Sequence, residues 1–272
     1  MNCHVAVPYE FDAEVEWRVP NDQRGHFPGS AERTKSYGPS ATFRAGFDGS
    51  GIDIPGHTWV QTPGTTKIEL YAGTHKLADW DIEILEIHPR SEWGAAPPIL
   101  SKMAGMPSIL GTTFHHSNKS DDGPAAIRRI QEKHQGTVAA LGGRNFADIA
   151  YHFAQTKNGD VYEARQLEEL NLPQGYYTKG EHVALNNTNA GVGIVMLGDY
   201  HAADGGGDGF TAARQLNLEK ALTSICRRYR LTSEKVSYHQ GRAISGHPTE
   251  CPGDQVVPIA PQVIKNVMKN LE

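Results

Sequence analysis

The sequence predicts an α/β domain built on a central mixed β-sheet flanked by helices, preceded by a small β-rich domain. Two patterns carry that prediction. Over residues 1–87 apolar residues alternate with polar ones at period two, the signature of half-buried strands. Over residues 88–272 short apolar runs interleave with stretches of helical periodicity, the arrangement that a sheet covered by helices requires. The 272 residues are enough for one large core plus an appendage.

Ile68, Leu70 and Ala72, then Ala78, Trp80, Ile82 and Ile84, lie on even positions around Gly73-Thr74, predicting two strands joined by a short turn. Val15, Trp17 and Val19 repeat the alternation, and GFDGSGIDIPG and QTPGTT read as loops. The boundary is expected between Ile87 and Arg90, where HPRSEWGAAPP begins, with Trp93 as a packing anchor. Ser108 to Phe114 predicts a buried strand running into His115-His116-Ser117. Asp122 is placed to cap a helix with Pro124 in its first turn and Ile127, Ile130 and His134 along one face. Ile149–Thr156 and Val161–Ala164, either side of Asn158-Gly159, predict a hairpin. Val192 to Leu197 predicts another buried strand. Thr211 to Tyr229 predicts a helix with Leu218, Leu222, Ile225 and Tyr229 as its apolar stripe. Val236 to His239 is expected as a short strand and Val263 to Leu271 as a closing helix.

Composition excludes several classes of function. No segment approaches the roughly 20 apolar residues that span a bilayer. Residues 1–87 carry 7 basic and 13 acidic side chains and residues 88–272 carry 19 and 18, so neither part has the basic footprint of nucleic-acid binding. Three cysteines, Cys3, Cys226 and Cys251, cannot make a disulfide framework, which points to synthesis in a reducing compartment. MNCHVAVPYEFDAEVEW lacks the basic start and apolar core of a signal peptide, so cytoplasmic synthesis is expected, with any extracytoplasmic target reached by lysis or non-classical export.

The chemistry gathers around VSYHQGRAISGHPTECPG, residues 236–253. This polar, Gly- and Pro-broken segment gives His239, His247 and Cys251 few packing reasons to be there, and Cys251 reads as a ligand or a nucleophile. Zinc takes nitrogen and sulfur ligands, and a hydrolytic zinc site has three protein ligands and one open position. His115 and His239, each at a strand end, can point to one spot, and the loop can return Cys251 as the third ligand. His4, His26, His57 and His75 have no comparable spacing.

RSEWGA (Arg90–Ala95), TFHHS (Thr113–Ser117), DIAYHF (Asp148–Phe153), GDVYEAR (Gly159–Arg165), GVGIVMLGDY (Gly191–Tyr200) and TECPGD (Thr249–Asp254) occur in one order. In that order they resemble the zinc-dependent N-acetylmuramoyl-L-alanine amidases of the type-2 class, which includes the peptidoglycan recognition proteins and the phage lysozyme-amidases. The resemblance covers residues 88–260 and leaves the first 87 without an assigned role or partner. It implies zinc as cofactor, peptidoglycan muropeptide as substrate, and hydrolysis of the amide between N-acetylmuramic acid and L-alanine. Position by position it makes His115 and Cys251 metal ligands, leaves His116 structural, and gives Tyr151 and Thr249 the catalytic hydroxyls. Arg165, His182 and Asn186 match positions lining the substrate groove. One departure concerns the middle histidine, which the family carries eight residues before the cysteine, where this chain has Ala243. His239, twelve before, is favoured because a strand delivers it and a four-residue insertion costs little; His247, four before, is the alternative. Two rival functions are a cysteine hydrolase using Cys251 as nucleophile and a peptidoglycan-binding module without catalysis.

Overall fold

The computed structural model describes the backbone of residues 3–5, 16–18, 52–54, 64–72 and 75–84, and residues 85–272 apart from 139–141, 168–171, 174–175, 184–189, 203–206, 230, 244–247 and 272. By contacts the chain divides into two units, Met1–Glu86 and Ile87–Glu272.

In the first unit, Cys3–Val5 (β1), Glu16–Arg18 (β2), Ile52–Ile54 (β3), Gly64–Ala72 (β4) and His75–Ile84 (β5) are strands. β1 pairs with β3, and β4 lies between β2 and β5, all antiparallel. The register sets Ile68 opposite Trp80 and Leu70 opposite Ala78.

The second unit is built on Ile87–His88 (β6), Gly105–Met106 (β7), Thr112–His116 (β8), the helix Gly123–Gln135 (α1), Phe153–Gln155 (β9), Val161–Glu163 (β10), Tyr177–Thr178 (β11), Val192–Met196 (β12), the helix Ala212–Tyr229 (α2), Val236–Tyr238 (β13) and the helix Ala260–Leu271 (α3). Six strands form a mixed sheet in the order β13-β8-β12-β9-β10-β6, with only the β9–β10 pair antiparallel. β7 and β11 make a separate antiparallel pair. Every residue of the central β8 and β12 is buried, which is why their sequences lack the alternation of the first unit. Among the described residues no helix is long and apolar enough to cross a membrane.

The two faces of the sheet can be told apart by register. Val195 lies opposite His115 on one side and Ala154 on the other, so these three share a face. α1 covers it: Ala126 and Ile127 cluster with Val195, Ala154, Ile149 and Trp93. His116, Met196 and Gln155 share the opposite face. There Gln155 Nε2 donates to Asn217 O of α2 at 2.9 Å, and Leu218, Leu222 and Ile225 are the buried stripe of that helix.

Three local expectations are corrected. Asp122 occupies the N-cap position of α1 in extended conformation without capping it, because its Oδ1 accepts from the Lys157 N–H at 3.0 Å. Ser108–Gly111 is a connection and not strand: Leu110 is exposed, and a Cβ at Gly111 would stand 2.5 Å from Lys235 O. Ile149–His152 precedes the strand β9: side chains claim main-chain groups of Ile149 and Ala150, while those of Tyr151 and His152 bond to Arg165, Ala164 and Gly193 main chain. Arg165 Nε donates to Ile149 O at 2.6 Å, and Ala150 N donates to His134 Nδ1 at 3.0 Å. Trp93 anchors packing as expected, 4% exposed with Nε1 donating to Glu163 O at 2.8 Å.

Candidate metal and catalytic site

β8 and β13 run parallel, so their C-terminal ends arrive side by side. His115 is the fourth residue of β8 and wholly buried. His239 follows β13 directly, donates its N–H to Phe114 O at 3.2 Å, and opens a short 3-10 turn over Gln240–Arg242. The ring centroids of His115 and His239 stand 4.5 Å apart. The chain returns through Gln240 N, which donates to Cys251 O at 2.8 Å and seats the cysteine beside the strand ends. One ligand atom from each of His115, His239 and Cys251 lies within 4.8 Å of the others.

Hydrogen bonds fix which nitrogen of His115 faces the thiol. His182 Nε2 lies 3.2 Å from the Gly191 carbonyl oxygen, which can only accept, so Nε2 carries the proton. Burial lowers the pKa of His182 to about 3, so the ring is neutral and its Nδ1 is an acceptor. That Nδ1 lies 3.0 Å from His115 Nε2, which must therefore donate. His115 is itself held well below its ordinary pKa, by burial first and by His182 and His239 next. Its Nδ1 then bears the lone pair, 3.7 Å from Cys251 Sγ. A sulfur at about 2.3 Å and a nitrogen at 2.0–2.1 Å around a tetrahedral zinc are about 3.6 Å apart. The donor set and its spacing fit zinc.

Cys251 Sγ also accepts from the His116 N–H at 3.4 Å. Burial pushes the thiol up to about 12, partly offset by that N–H. A thiol so placed ionises at neutral pH only against a cation, the condition a metal supplies.

Tyr151 packs its ring against His115, centroids 5.1 Å apart. Burial, and then Cys251, raise its phenol well above the ordinary value, so the hydroxyl stays protonated. Among the described residues that hydroxyl has no hydrogen-bond partner. Thr249 Oγ1 accepts from the Cys251 N–H at 3.2 Å, holding the loop and leaving the hydroxyl proton free to donate.

The remaining predicted residues are distributed differently. His182 is buried behind His115 and orients it. Arg165 is 1% exposed, with its guanidinium on Ile149 O, Lys179 O, Asp148 O and Glu181 Oε2. It braces the segment carrying Tyr151 from inside and presents nothing to a groove. Asn186 and His247 lie outside the described residues. Sequence reasoning passed over Arg242, whose Nη1 donates to Thr113 Oγ1 at 3.1 Å on the His115 face. Its only sequence signal is a cation inside the four-residue extension between His239 and Cys251.

Residues 105–254 match the sequence profile of the family described as N-acetylmuramoyl-L-alanine amidase. The chain is 30% identical over 189 residues to the human N-acetylmuramoyl-L-alanine amidase, covering 62% of this chain and 26% of that protein. It is 28% identical over 169 residues to peptidoglycan-recognition protein SC2 of Drosophila melanogaster, covering 61% of this chain and 80% of that one. Among solved structures, Drosophila PGRP-LB aligns with a TM-score of 0.49 at 21% identity, over 65% of this chain and 93% of that one.

Proposed function

The chain belongs to the N-acetylmuramoyl-L-alanine amidase family, and on that premise we propose that it is a zinc-dependent peptidoglycan hydrolase. The bond cleaved is the amide between the lactyl group of N-acetylmuramic acid and L-alanine. The observation that carries this reading is the convergence of His115, His239 and Cys251 within 4.8 Å beside the ring of Tyr151. A site that only bound muropeptide would have no use for a buried thiol among neutral imidazoles.

His115 Nδ1, His239 and Cys251 Sγ would hold the ion. Zinc, when bound, supplies Lewis acidity that activates water and polarises the amide carbonyl at neutral pH. The other steps belong to this chain's side chains. Tyr151 donates its protonated hydroxyl to the carbonyl oxygen as negative charge develops there, and Thr249 donates from the loop of Cys251. His182 and Gly191 O keep His115 in the tautomer that leaves Nδ1 unprotonated. Arg242 offers a cation on the same face, suited to a carboxylate of the stem peptide.

Metal content and release of stem peptides with a free L-alanine N-terminus are measured together for the wild-type chain, His239→Ala, His247→Ala and Cys251→Ala. The expected result is loss of zinc and turnover in His239→Ala and Cys251→Ala, with both kept in His247→Ala. Turnover that survives removal of zinc by a chelator would sink the metal reading and favour Cys251 as nucleophile. Muropeptide binding without any cleavage by zinc-loaded wild type would sink the enzyme reading.

A further inference from the structure

Consecutive residues of a strand point to opposite faces, so His115 and His116 serve different sides of the sheet. His116 is 5% exposed, with its ring against that of His201 at a centroid distance of 4.9 Å in an edge-on arrangement. His201 is itself 9% exposed. A ring nitrogen of each and a carboxylate oxygen of Asp199 lie within 4.8 Å of one another, as the ligand atoms of the His115 group also do.

Buried imidazole nitrogens are ordinarily satisfied. Among the described residues His116 Nδ1 is buried without a hydrogen-bond partner, and neither His116 nor His201 spends a ring nitrogen on a hydrogen bond. The surroundings, by contrast, are firmly built. Asp199 Oδ1 accepts from the His201 N–H at 3.1 Å, and the Asp199 N–H is held by Asp208 Oδ2 at 3.0 Å. Two unspent imidazoles and an oriented carboxylate are therefore fixed around one point.

We propose that His116, Asp199 and His201 form a second metal site, which takes a divalent ion of the zinc class through two nitrogens and one oxygen. This inference does not rest on the amidase reading. The ion would tie β8 to the segment Asp199–Ala202. That segment is in turn bonded to the chain just after Cys251: Ala202 N donates to Asp254 Oδ1 at 2.7 Å, and Gln255 N donates to Tyr200 O at 3.2 Å. Its role is to fasten the cysteine loop from the far side of the sheet.

The test is metal stoichiometry on the full chain, stripped with chelator, reloaded with zinc or cobalt(II) and dialysed. Wild type is expected to hold two ions per chain, and Cys251→Ser, Asp199→Asn and His201→Ala one each. With cobalt, the ion retained by Asp199→Asn shows thiolate-to-metal charge transfer, and the ion retained by Cys251→Ser does not. Asp199→Asn keeps the oxygen that accepts from His201 N, so it reports on the site even where His201→Ala fails to fold. One ion per wild-type chain, lost with Cys251→Ser and kept with Asp199→Asn, overturns the proposal. One ion lost with Asp199→Asn and kept with Cys251→Ser upholds it and removes the His115 site instead.

Discussion

Replacing Tyr151 with Phe removes a single oxygen from a ring that packs on His115. The phenol is held protonated by burial, so at neutral pH it has a proton to donate. A preorganised donor to a developing oxyanion contributes roughly 2.7–4 kcal/mol, so Tyr151→Phe should lower kcat about 10²–10³-fold. Zinc content and thermal stability should remain as in wild type, since the hydroxyl holds no partner among the described residues. The check is turnover on purified muropeptide beside metal analysis, and undiminished turnover would assign the oxyanion to other donors. At this scale the sequence reveals a residue when its chemistry is at odds with its neighbours. Cys251, between Glu250 and Pro252, stands out in that way. His182 and Arg242 do not, because a histidine that orients another histidine and an arginine in a polar loop look like ordinary residues until distances connect them.

Among the elements, β12 shows why a ligand's support is hard to see in advance. Gly193 lies within this fully buried strand, and a Cβ there would stand 2.6 Å from both Cγ and Cδ2 of the His182 ring. That ring is fixed at both nitrogens, by His115 and by Gly191 O, so it cannot step aside without giving up one of them. Gly193→Ala should destabilise the chain by about 1–3 kcal/mol through overpacking. It should also weaken zinc binding by roughly 10–100-fold through loss of the support behind His115. Urea denaturation and competition against a zinc chelator measure the two effects, and an unchanged zinc affinity would detach His182 from the metal site. Elements set by local pattern could be read from the chain: α2 and the β4–β5 pair follow their periodicities closely. Ser108–Gly111 and Ile149–His152 could not, because their apolar residues resemble strand while partners remote in sequence hold their backbone, Ala190 and Val192 for the first and the Arg165 guanidinium for the second.

For the second unit as a whole, acid is the expected weakness. Burial holds His115, His116, His134, His152, His182 and His239 below the ordinary imidazole value, so this unit folds around neutral rings. His134 isolates the effect, since it coordinates nothing in the proposed sites. Its pKa is lowered from 6.5 to about 3, by burial first and then by Arg165, Lys133 and Arg144. The folded value lies below the unfolded one, so between them the unfolded chain binds a proton that the folded chain refuses. The contribution is full above 6.5, declines as the pH falls, and levels off below about 3. Between about pH 7.5 and about pH 5 one such histidine costs about 2 kcal/mol of stability. His134→Asn can keep an acceptor for the Ala150 N–H, which now bonds Nδ1 at 3.0 Å, while removing the proton site. With chelator present to exclude metal linkage, urea unfolding at the two pH values should show the variant losing about 2 kcal/mol less than wild type. Equal losses in the two chains would mean that His134 takes up its proton in the folded state, and that other groups set the acid limit.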